Sequence, residues 1–492
     1  MNNQITCTRF APSPTGFMHI GNLRTALFAY LLAKSKNGRF ILRIEDTDQV
    51  REVPGAVDVI LKTLELIGIK YDEGPGIGGE HGPYIQSQRK HIHQEYAHKL
   101  VELGHAYYCF CTKERLAEIH DSCGGYDRHC RDLAAEEIQH HLDRGDPYVI
   151  RQKMPLDGST TYVDDNWGEI TVENKELQDQ ILIKADGFAT YNFAHVVDDY
   201  LMGVNYVMRG SEYVYSTPKY ALLYDAFGWE RPHYVHLPLL NGKDSEGNIA
   251  KLSKRHGSVS FLDLVEEGYL PEAIVNYIAL LGWSPSKGQG RINNEDINEE
   301  FFTMDELIDR FSIQGLGQSP SVFDYDKLKW FNTEYIRRMP VDLFNSRVIP
   351  SLKEVCPPTI DFALLAQLLQ PRIGTLAEAT AMVDFIASRL PLDKEAYVNK
   401  KNKTTVESCR AVLEQIEPLL DACEEWTNDA LYAVLKNYST DSGLKLGSIL
   451  WAVRIAIARK IVTPGGATEL MLVLGRDETM ARIKQACAEL ND

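Results

Sequence analysis

The sequence predicts an α/β fold built on a parallel sheet, followed by an all-helical region. Three observations carry this. Ile5 to Phe10 reads as a strand and Leu23 to Lys34 as a helix, with Leu23, Ala26, Leu27, Tyr30 and Leu31 on one face. Arg39 to Asp48, RFILRIEDTD, opens as a dense apolar run and ends in acids, as a strand buried in a parallel sheet does. Beyond about Ser321, Leu, Ala and Ile recur at helical spacing, as in Phe362 to Leu369 and Leu446 to Ile457, and alternating patterns stop.

With 492 residues the chain is long enough for several domains and a large core. A hydrophobic fraction of 44% and a charged fraction of 25% place it among globular rather than disordered chains. The opening residues, Met1-Asn2-Asn3-Gln4, lack a signal-peptide pattern, and no apolar run is long enough to span a bilayer. Both observations predict a cytoplasmic protein without a membrane partner. Nine cysteines, several of them clustered, fit reduced thiols or a metal site better than a disulfide framework. The formal net charge of −17 argues against indiscriminate nucleic-acid binding. It leaves room for an RNA partner held by a local stripe of Lys and Arg, with modest and salt-sensitive affinity.

Between the first strand and its helix, Arg9 to Asn22 reads RFAPSPTGFMHIGN. A strand–loop–helix unit points free backbone N–H groups and the positive helix end at whatever sits over the loop. Gly16 and Gly21 permit close approach to the backbone, and His19 can donate to a phosphate. An ordinary turn capped by Asn22 would have the same composition. The second strand delivers Glu45 to its carboxyl end, where ligands of open α/β sheets bind and a carboxylate can hold an amino group. Asp46 and Asp48 read as capping or turn acids.

Val57 to Leu66 reads as an amphipathic helix, residues 73–83 as a Gly-rich connection, and His91 to Leu103 as a helix with His91 and His93 solvated. Tyr148 to Thr171 alternates like strands. Asn241 to Ile249 reads as a turn-rich loop ahead of Lys251-Leu252-Ser253-Lys254-Arg255. A loop carrying Lys251 and Lys254 suits a lid that closes on a ligand. Ser260 to Trp283 reads as helical with a break at Gly268.

Two of these strings, in this order, resemble the paired signatures of class I aminoacyl-tRNA synthetases. His19-Ile20-Gly21-Asn22 resembles the first, with Asn in place of the commoner fourth His, and Lys251 to Arg255 resembles the second, Lys-Met-Ser-Lys-Ser. The wider strings from Arg9, Arg39, Thr190 (TYNFAHVVDD) and Val207 (VMRGSE) resemble the glutamyl branch, from Arg9 to about Trp283. The resemblance implies a doubly wound, Rossmann-type parallel sheet in two halves, 1–103 and 187–320. An acceptor-binding domain would be inserted at 104–186. A helical anticodon-binding region would occupy 321–492, in two parts joined near 390–402.

The activity it implies is ATP-dependent ligation of L-glutamate to tRNA(Glu) by a monomer, through glutamyl-adenylate, with Mg²⁺ accompanying ATP. The ATP contacts carried over are Pro12, Ser13, Pro14, Thr15, Gly16, His19, Gly21, Asn22, Lys251, Leu252, Ser253, Lys254 and Arg255, with His19 and Lys254 catalytic. Glutamate would meet Arg9, Tyr191 and Arg209 through its carboxylates and Glu45 through its ammonium, with His195 in the same pocket. Apart from the resemblance, Tyr191 reads as a core aromatic and Arg209 as a surface ion pair. A glutaminyl enzyme is the nearest alternative; such enzymes tend to carry Pro-Pro-Glu-Pro-Asn-Gly where this chain has Ala11-Pro-Ser-Pro-Thr-Gly16. A catalytically inactive, synthetase-like RNA-binding protein is another, against which His19 and Lys254 are intact.

Cys109, Cys111 and Cys130 suit Zn²⁺, which takes four ligands. Some bacterial glutamyl enzymes carry Cys-x-Cys…Cys-x-His here, and Asp132 stands where that pattern has His. Cys123 and His129 are alternative fourth ligands, and metal-free packing is the plain reading of buried cysteines. Lys394, Lys400, Lys401 and Lys403 at the C-terminal join, with Arg454, Arg459 and Lys460, make a candidate surface for the anticodon arm or a merely solvated one.

Overall fold

The computed structural model describes residues 5–16, 18–48, 51–123, 125–243, 246–252, 260–285 and 300–491, without side chains at 120–123. It divides into two units, Met1–Leu264 with Ile274–Asp324, and Val265–Ala273 with Tyr325–Asp492.

The first unit opens with strand β1 (Cys7–Phe10), helix α1 (Ile20–Ser35) and strand β2 (Arg39–Leu42). β1 and β2 pair in parallel, Arg9 opposite Ile41. α1 buries nearly its whole circumference, from Leu23 through Ala33, so it lies in the core rather than along one face of it. Its cap is His19, not Asn22: the His19 Nδ1 accepts the Gly21 N–H at 3.1 Å, and the helix begins three residues earlier than its apolar pattern. The early turn is polar and glycine-rich, so periodicity alone misses it.

Helices α2 (Ala56–Leu66) and α3 (Lys90–Glu102) follow. On α3, His91 is exposed, but His93 is 1% exposed and is a correction to the expectation of a solvated side chain. It shares the inner face with Ala97 and Leu100, at the i, i+4, i+7 spacing of a buried helix stripe.

The segment 104–186 contains β3 (Ala106–Cys109), α4 (Lys113–Cys123), α5 (Ala135–Asp143), β4 (Val149–Gln152), β5 (Ser159–Asp164), β6 (Gly168–Glu173) and β7 (Ile181–Ile183). β3, β4 and β7 form an antiparallel sheet of their own. β5 and β6 do not join it. They extend the sheet of the later half, with order β6-β5-β9-β8, where β8 is Tyr206–Gly210 and β9 is His233–Leu237. β5 pairs with β9 in parallel at Asp164 and Tyr234, and β8 pairs with β9 in parallel. β8 lies beside β1, where the Asn205 N–H reaches the Cys7 carbonyl at 3.1 Å. The result is a Rossmann-type domain with mixed sheets.

Helices α6 (Tyr191–Leu201) and α7 (Thr217–Phe227) pack beside these strands. The 241–249 stretch is expected as a loop, but its two ends pair antiparallel as β10 (Leu240–Lys243) and β11 (Ile249–Lys251). Its glycine and polar residues mask a ladder that tertiary packing selects. Ser253, Lys254 and Arg255 lie outside the described residues. Helices α8 (Phe261–Glu266) and α9 (Pro271–Ala279) break at Gly268, whose φ of +88° suits glycine and which lies in the Val265–Ala273 stretch assigned to the second unit. α10 (Met304–Arg310) and β12 (Ser321–Phe323) complete the first unit.

The second unit is helical from Tyr325 onward, and one hydrophobic core runs from Leu270 to Leu490. The join near 390–402 inserts Ala396 and Tyr397 into that core, while Lys394, Lys400, Lys401 and Lys403 are exposed. Arg459 and Lys460 pair with Glu489 and Asp384 at 2.6 and 2.7 Å, and all three of Arg454, Arg459 and Lys460 are half-buried, so the lysines of the join are the more exposed cations of the two groups. Among the described residues, no helix is long and apolar enough to cross a membrane.

Candidate active site

A cavity of about 420 Å³ opens at the carboxyl ends of β1 and β8. It gathers Arg9, Pro12, Ser13, His19, Gly21, Asn22, Tyr191, Arg209, Lys251 and Leu252 from positions spread over about half the chain. Of the other sequence-predicted residues, Pro14, Thr15, Gly16, Glu45 and His195 do not line it. The Pro14 carbonyl accepts the Val53 N–H at 2.9 Å, and Glu45 and His195 stand directly behind lining residues.

At the rim, His19 uses Nδ1 to accept from Gly21, so its hydrogen resides on Nε2. Burial, then the charge of Lys251, pushes the ring below the ordinary histidine range and keeps it neutral. A neutral Nε2–H is a donor suited to a phosphate oxygen. A Cβ at Gly21 would meet only His19 Nδ1, at 3.5 Å. Packing therefore does not require glycine there, and its missing side chain leaves open room on the cavity wall.

Beneath the cavity lies a buried network of three arginines and three carboxylates. Asp199 accepts from Arg9 Nε at 3.0 Å and Arg43 Nη2 at 2.8 Å, and Arg43 also holds Glu45 Oε1 at 2.9 Å. Asp198 accepts from Arg89 Nε at 2.6 Å and from His93 Nε2 at 2.9 Å. Burial pushes the Asp199 carboxyl up, but Arg9 and Arg43 outweigh it and hold the group below its ordinary range. For Glu45 burial wins over Arg43 and Arg9, and the carboxyl is raised. The sequence reading missed Arg43, Arg89, Asp198 and Asp199. The one legible signal was a pair of adjacent acids on an otherwise apolar helix face.

Arg209 is built differently. It is 4% exposed, yet among the described residues no carboxylate lies within 4.0 Å of it. Its Nε donates to His236 Nε2 at 3.0 Å, Nη2 to Thr217 Oγ1 at 2.6 Å, and Nη1 faces His195 Nε2 at 3.4 Å. The rings of Tyr220, Tyr213 and Tyr234 surround it at 4.8, 5.3 and 5.5 Å. Burial pushes His195 down to about 3, so that ring is neutral. Neutral groups thus grip the guanidinium, and among the described residues no carboxylate is in direct contact with it. A buried cation of this kind favours an anionic ligand in the cavity it lines.

Arg24, which the sequence reading did not single out, is a second buried cation on the wall, with the charge of Glu212, another lining residue, acting on it. It is buried in α1, bonds the carbonyls of Leu281, at 3.1 Å, and Pro238, and burial lowers it to about 10. With Lys251 exposed at the edge, the lining sets Arg9, Arg24, Arg209 and Lys251 against the single carboxylate of Glu212, in a chain of net charge −17.

Some 104–186 residues form a separate cluster. The sulfurs of Cys109, Cys111 and Cys130 all lie within 4.8 Å of one another. Tetrahedral zinc with Zn–S bonds near 2.3 Å needs sulfurs about 3.8 Å apart, so the donor set fits. Asp132 is a correction: its carboxylate is 80% exposed and pairs with Lys153 at 3.2 Å, away from the sulfurs. The oxygen set against them is Tyr126 Oη, 3.3 Å from Cys109 Sγ and 4.0 Å from Cys111 Sγ, and it accepts the Cys130 N–H at 3.1 Å. His129 is exposed, and the Cys123 side chain lies outside the described residues.

Comparisons with known proteins agree with this geometry. Residues 6–330 match the catalytic domain of class I tRNA synthetases (E and Q), and residues 325–487 match an anticodon binding domain. The chain is 50% identical over 490 residues to a glutamate–tRNA ligase of Clostridium botulinum (strain Loch Maree / Type A3), covering 98% of each. It is 48% identical to that of Clostridium tetani (strain Massachusetts / E88), covering 100% of this chain and 99% of the relative. The crystal structure of a glutamate tRNA ligase from Elizabethkingia meningosepticum superimposes with a TM-score of 0.88 at 32% identity, covering 99% of each chain. An α1 entrance bearing His19, a β8 bearing Arg209 and a helical second unit thus fall within one known architecture, and the chain belongs to the class I aminoacyl-tRNA synthetases, among the glutamate–tRNA ligases.

Proposed function

We propose that the chain joins L-glutamate to the 3′ end of tRNA(Glu) in two steps. The glutamate carboxylate attacks the α-phosphorus of ATP, giving glutamyl-adenylate and pyrophosphate. A terminal ribose hydroxyl of the tRNA then displaces AMP. Neither step calls for a covalent enzyme nucleophile; positioning and charge stabilisation supply the catalysis. The neutral His19 Nε2–H donates to the triphosphate, the lid lysines Lys251 and Lys254 neutralise its charge, and Mg²⁺ accompanying ATP would supply further positive charge there.

The observation that carries the substrate assignment is Arg209, a buried cation without a carboxylate partner, in the cavity that also holds His19. A glutamate side-chain carboxylate supplies the missing charge, and a glutamine amide does not. Arg9 already bonds Asp199, so it contributes N–H groups at lower net charge, beside Tyr191. Glu45, fixed by Arg43, faces the substrate ammonium from behind the cavity wall.

Residues 104–186 take the acceptor end of the tRNA and the helical region beyond 321 its anticodon arm, with the exposed lysines of the 390–402 join against phosphates. Cys109, Cys111 and Cys130 hold one zinc, with the Tyr126 oxygen rather than Asp132 in the fourth position. The ion's contribution is to fold the insertion. The protein works as a cytoplasmic monomer. The deciding experiment is aminoacylation of purified glutamate and glutamine tRNAs, each offered both amino acids. Charging with glutamate alone is the expected result, and preferential charging with glutamine would overturn the reading.

A further inference from the structure

Arg209 presents its charge to the cavity only if its guanidinium is held from behind by groups that do not neutralise it. We infer that Asp164 and His236 form a positioning pair that fixes the Arg209 guanidinium for the substrate carboxylate. The inference rests on the reading of Arg209 given above and extends it to two residues that never touch substrate.

Asp164 ends β5 and His236 lies in β9; their side chains are fully buried. Asp164 Oδ2 is 2.6 Å from His236 Nδ1 and also accepts the His236 backbone N–H at 3.1 Å. Asp164 Oδ1 accepts the N–H groups of Asn166 and Trp167 at 2.9 and 2.8 Å. Four donors converge on this carboxylate, so it cannot rotate away from the ring. A carboxylate only accepts, so the imidazole hydrogen sits on Nδ1 and Nε2 is a bare acceptor. That acceptor faces Arg209 Nε at 3.0 Å and Thr217 Oγ1 at 3.2 Å. Burial lowers His236 below the ordinary histidine range, in keeping with the neutral ring. The pair therefore converts a negative charge two bonds away into a neutral acceptor at the guanidinium. Asp164 sets the tautomer, His236 transmits it, and Arg209 keeps its charge for the ligand.

The test exploits two substitutions that split the ring in half. Asn reaches the Nδ1 position, so His236→Asn keeps a bond to Asp164 and loses the acceptor for Arg209. Gln reaches the Nε2 position, so His236→Gln keeps that acceptor. In ATP–pyrophosphate exchange with tRNA present, His236→Asn should raise KM for glutamate by about tenfold or more and leave KM for ATP within about threefold. His236→Gln should stay within about threefold of the unmodified chain on both. Asp164→Asn turns one acceptor into a donor, which favours the opposite tautomer and sets two N–H groups against each other. It should raise KM for glutamate in the His236 chain and do so much less when combined with His236→Gln. Equal effects of Asn and Gln at 236, equal losses for glutamate and ATP, or the same Asp164→Asn factor in both backgrounds would each reduce the pair to packing and overturn the inference. Arg209→Lys is the control: if it leaves KM for glutamate unchanged, the reading of Arg209 itself falls, whereas a raised value there with a normal His236→Asn enzyme overturns the pair alone.

Discussion

Replacing Arg209 by Lys keeps the charge and removes the fork. A guanidinium has five N–H groups. Three of them in Arg209 go to His236, Thr217 and His195, which leaves two for a carboxylate. A lysine ammonium has three N–H groups in all and is a compact, strongly hydrated charge. It cannot serve His236 and Thr217 and still grip two carboxylate oxygens. The substitution thus removes at least one charge-assisted bond to the substrate, of about 1.5–3 kcal/mol. At 1.36 kcal/mol per decade this raises KM for glutamate about 10- to 150-fold. The assay is ATP–pyrophosphate exchange with tRNA present, varying glutamate at saturating ATP and the reverse. KM for ATP should move by less than about threefold, since the fork is assigned to the amino acid and not to the phosphates. An unchanged KM for glutamate, or equal rises for both substrates, would refute the assignment of Arg209 to the amino acid.

Asp199→Asn should destabilise the first unit by about 3–5 kcal/mol, because it leaves Arg9 and Arg43 with an unbalanced buried charge; a thermal unfolding midpoint indistinguishable from that of the unmodified chain would contradict this. The depressed carboxyls of Asp198 and Asp199 contribute stability above the ordinary carboxylate range, near pH 4, and lose it as pH falls below. Acid unfolding should therefore be shallower in Asp199→Asn, as pH-titrated circular dichroism would reveal. Lys254→Ala should lower kcat by about a hundredfold or more with KM for glutamate unchanged, and an unaltered activation rate would remove Lys254 from the mechanism. Elemental analysis should find one zinc per chain, lost in the Cys109→Ser/Cys111→Ser double mutant, weakened in Tyr126→Phe and retained in Asp132→Ala; full retention in Tyr126→Phe with loss in Asp132→Ala would reverse the choice of fourth ligand.

What the sequence made legible was local. The early strand, its helix and the helical C-terminal half each follow from spacing within a dozen residues, and the cavity-lining strings are contiguous. What it hid was long-range. Asp199 and Arg9 are 190 positions apart, and nothing in either neighbourhood announces the other. Asp164 and His236 are 72 apart and meet only because β5 pairs with β9. His93 has a legible spacing to Ala97 and Leu100, but the buried partner that lets a polar side chain sit on that inner face, Asp198, is 105 positions away. Asp132 holds the place in the motif, but its carboxylate lies in solvent beside Lys153, while the Tyr126 oxygen lies against the Cys109 sulfur.

The pairing of β5 with β9 also bears on how this chain can be recombined. Exchanging residues 104–186 for the matching segment of a relative looks, along the sequence, like replacing a self-contained module. In space the exchange would carry off two strands of a four-stranded sheet whose other two belong to the host. A chimaera cut at those points must re-form the ladder at Asp164 and Tyr234 with a foreign strand. Crossovers that leave residues 159–173 with the host, and trade only what flanks them, respect the physical joint. A library built on both sets of cut points should recover folded, soluble hybrids mainly from the second.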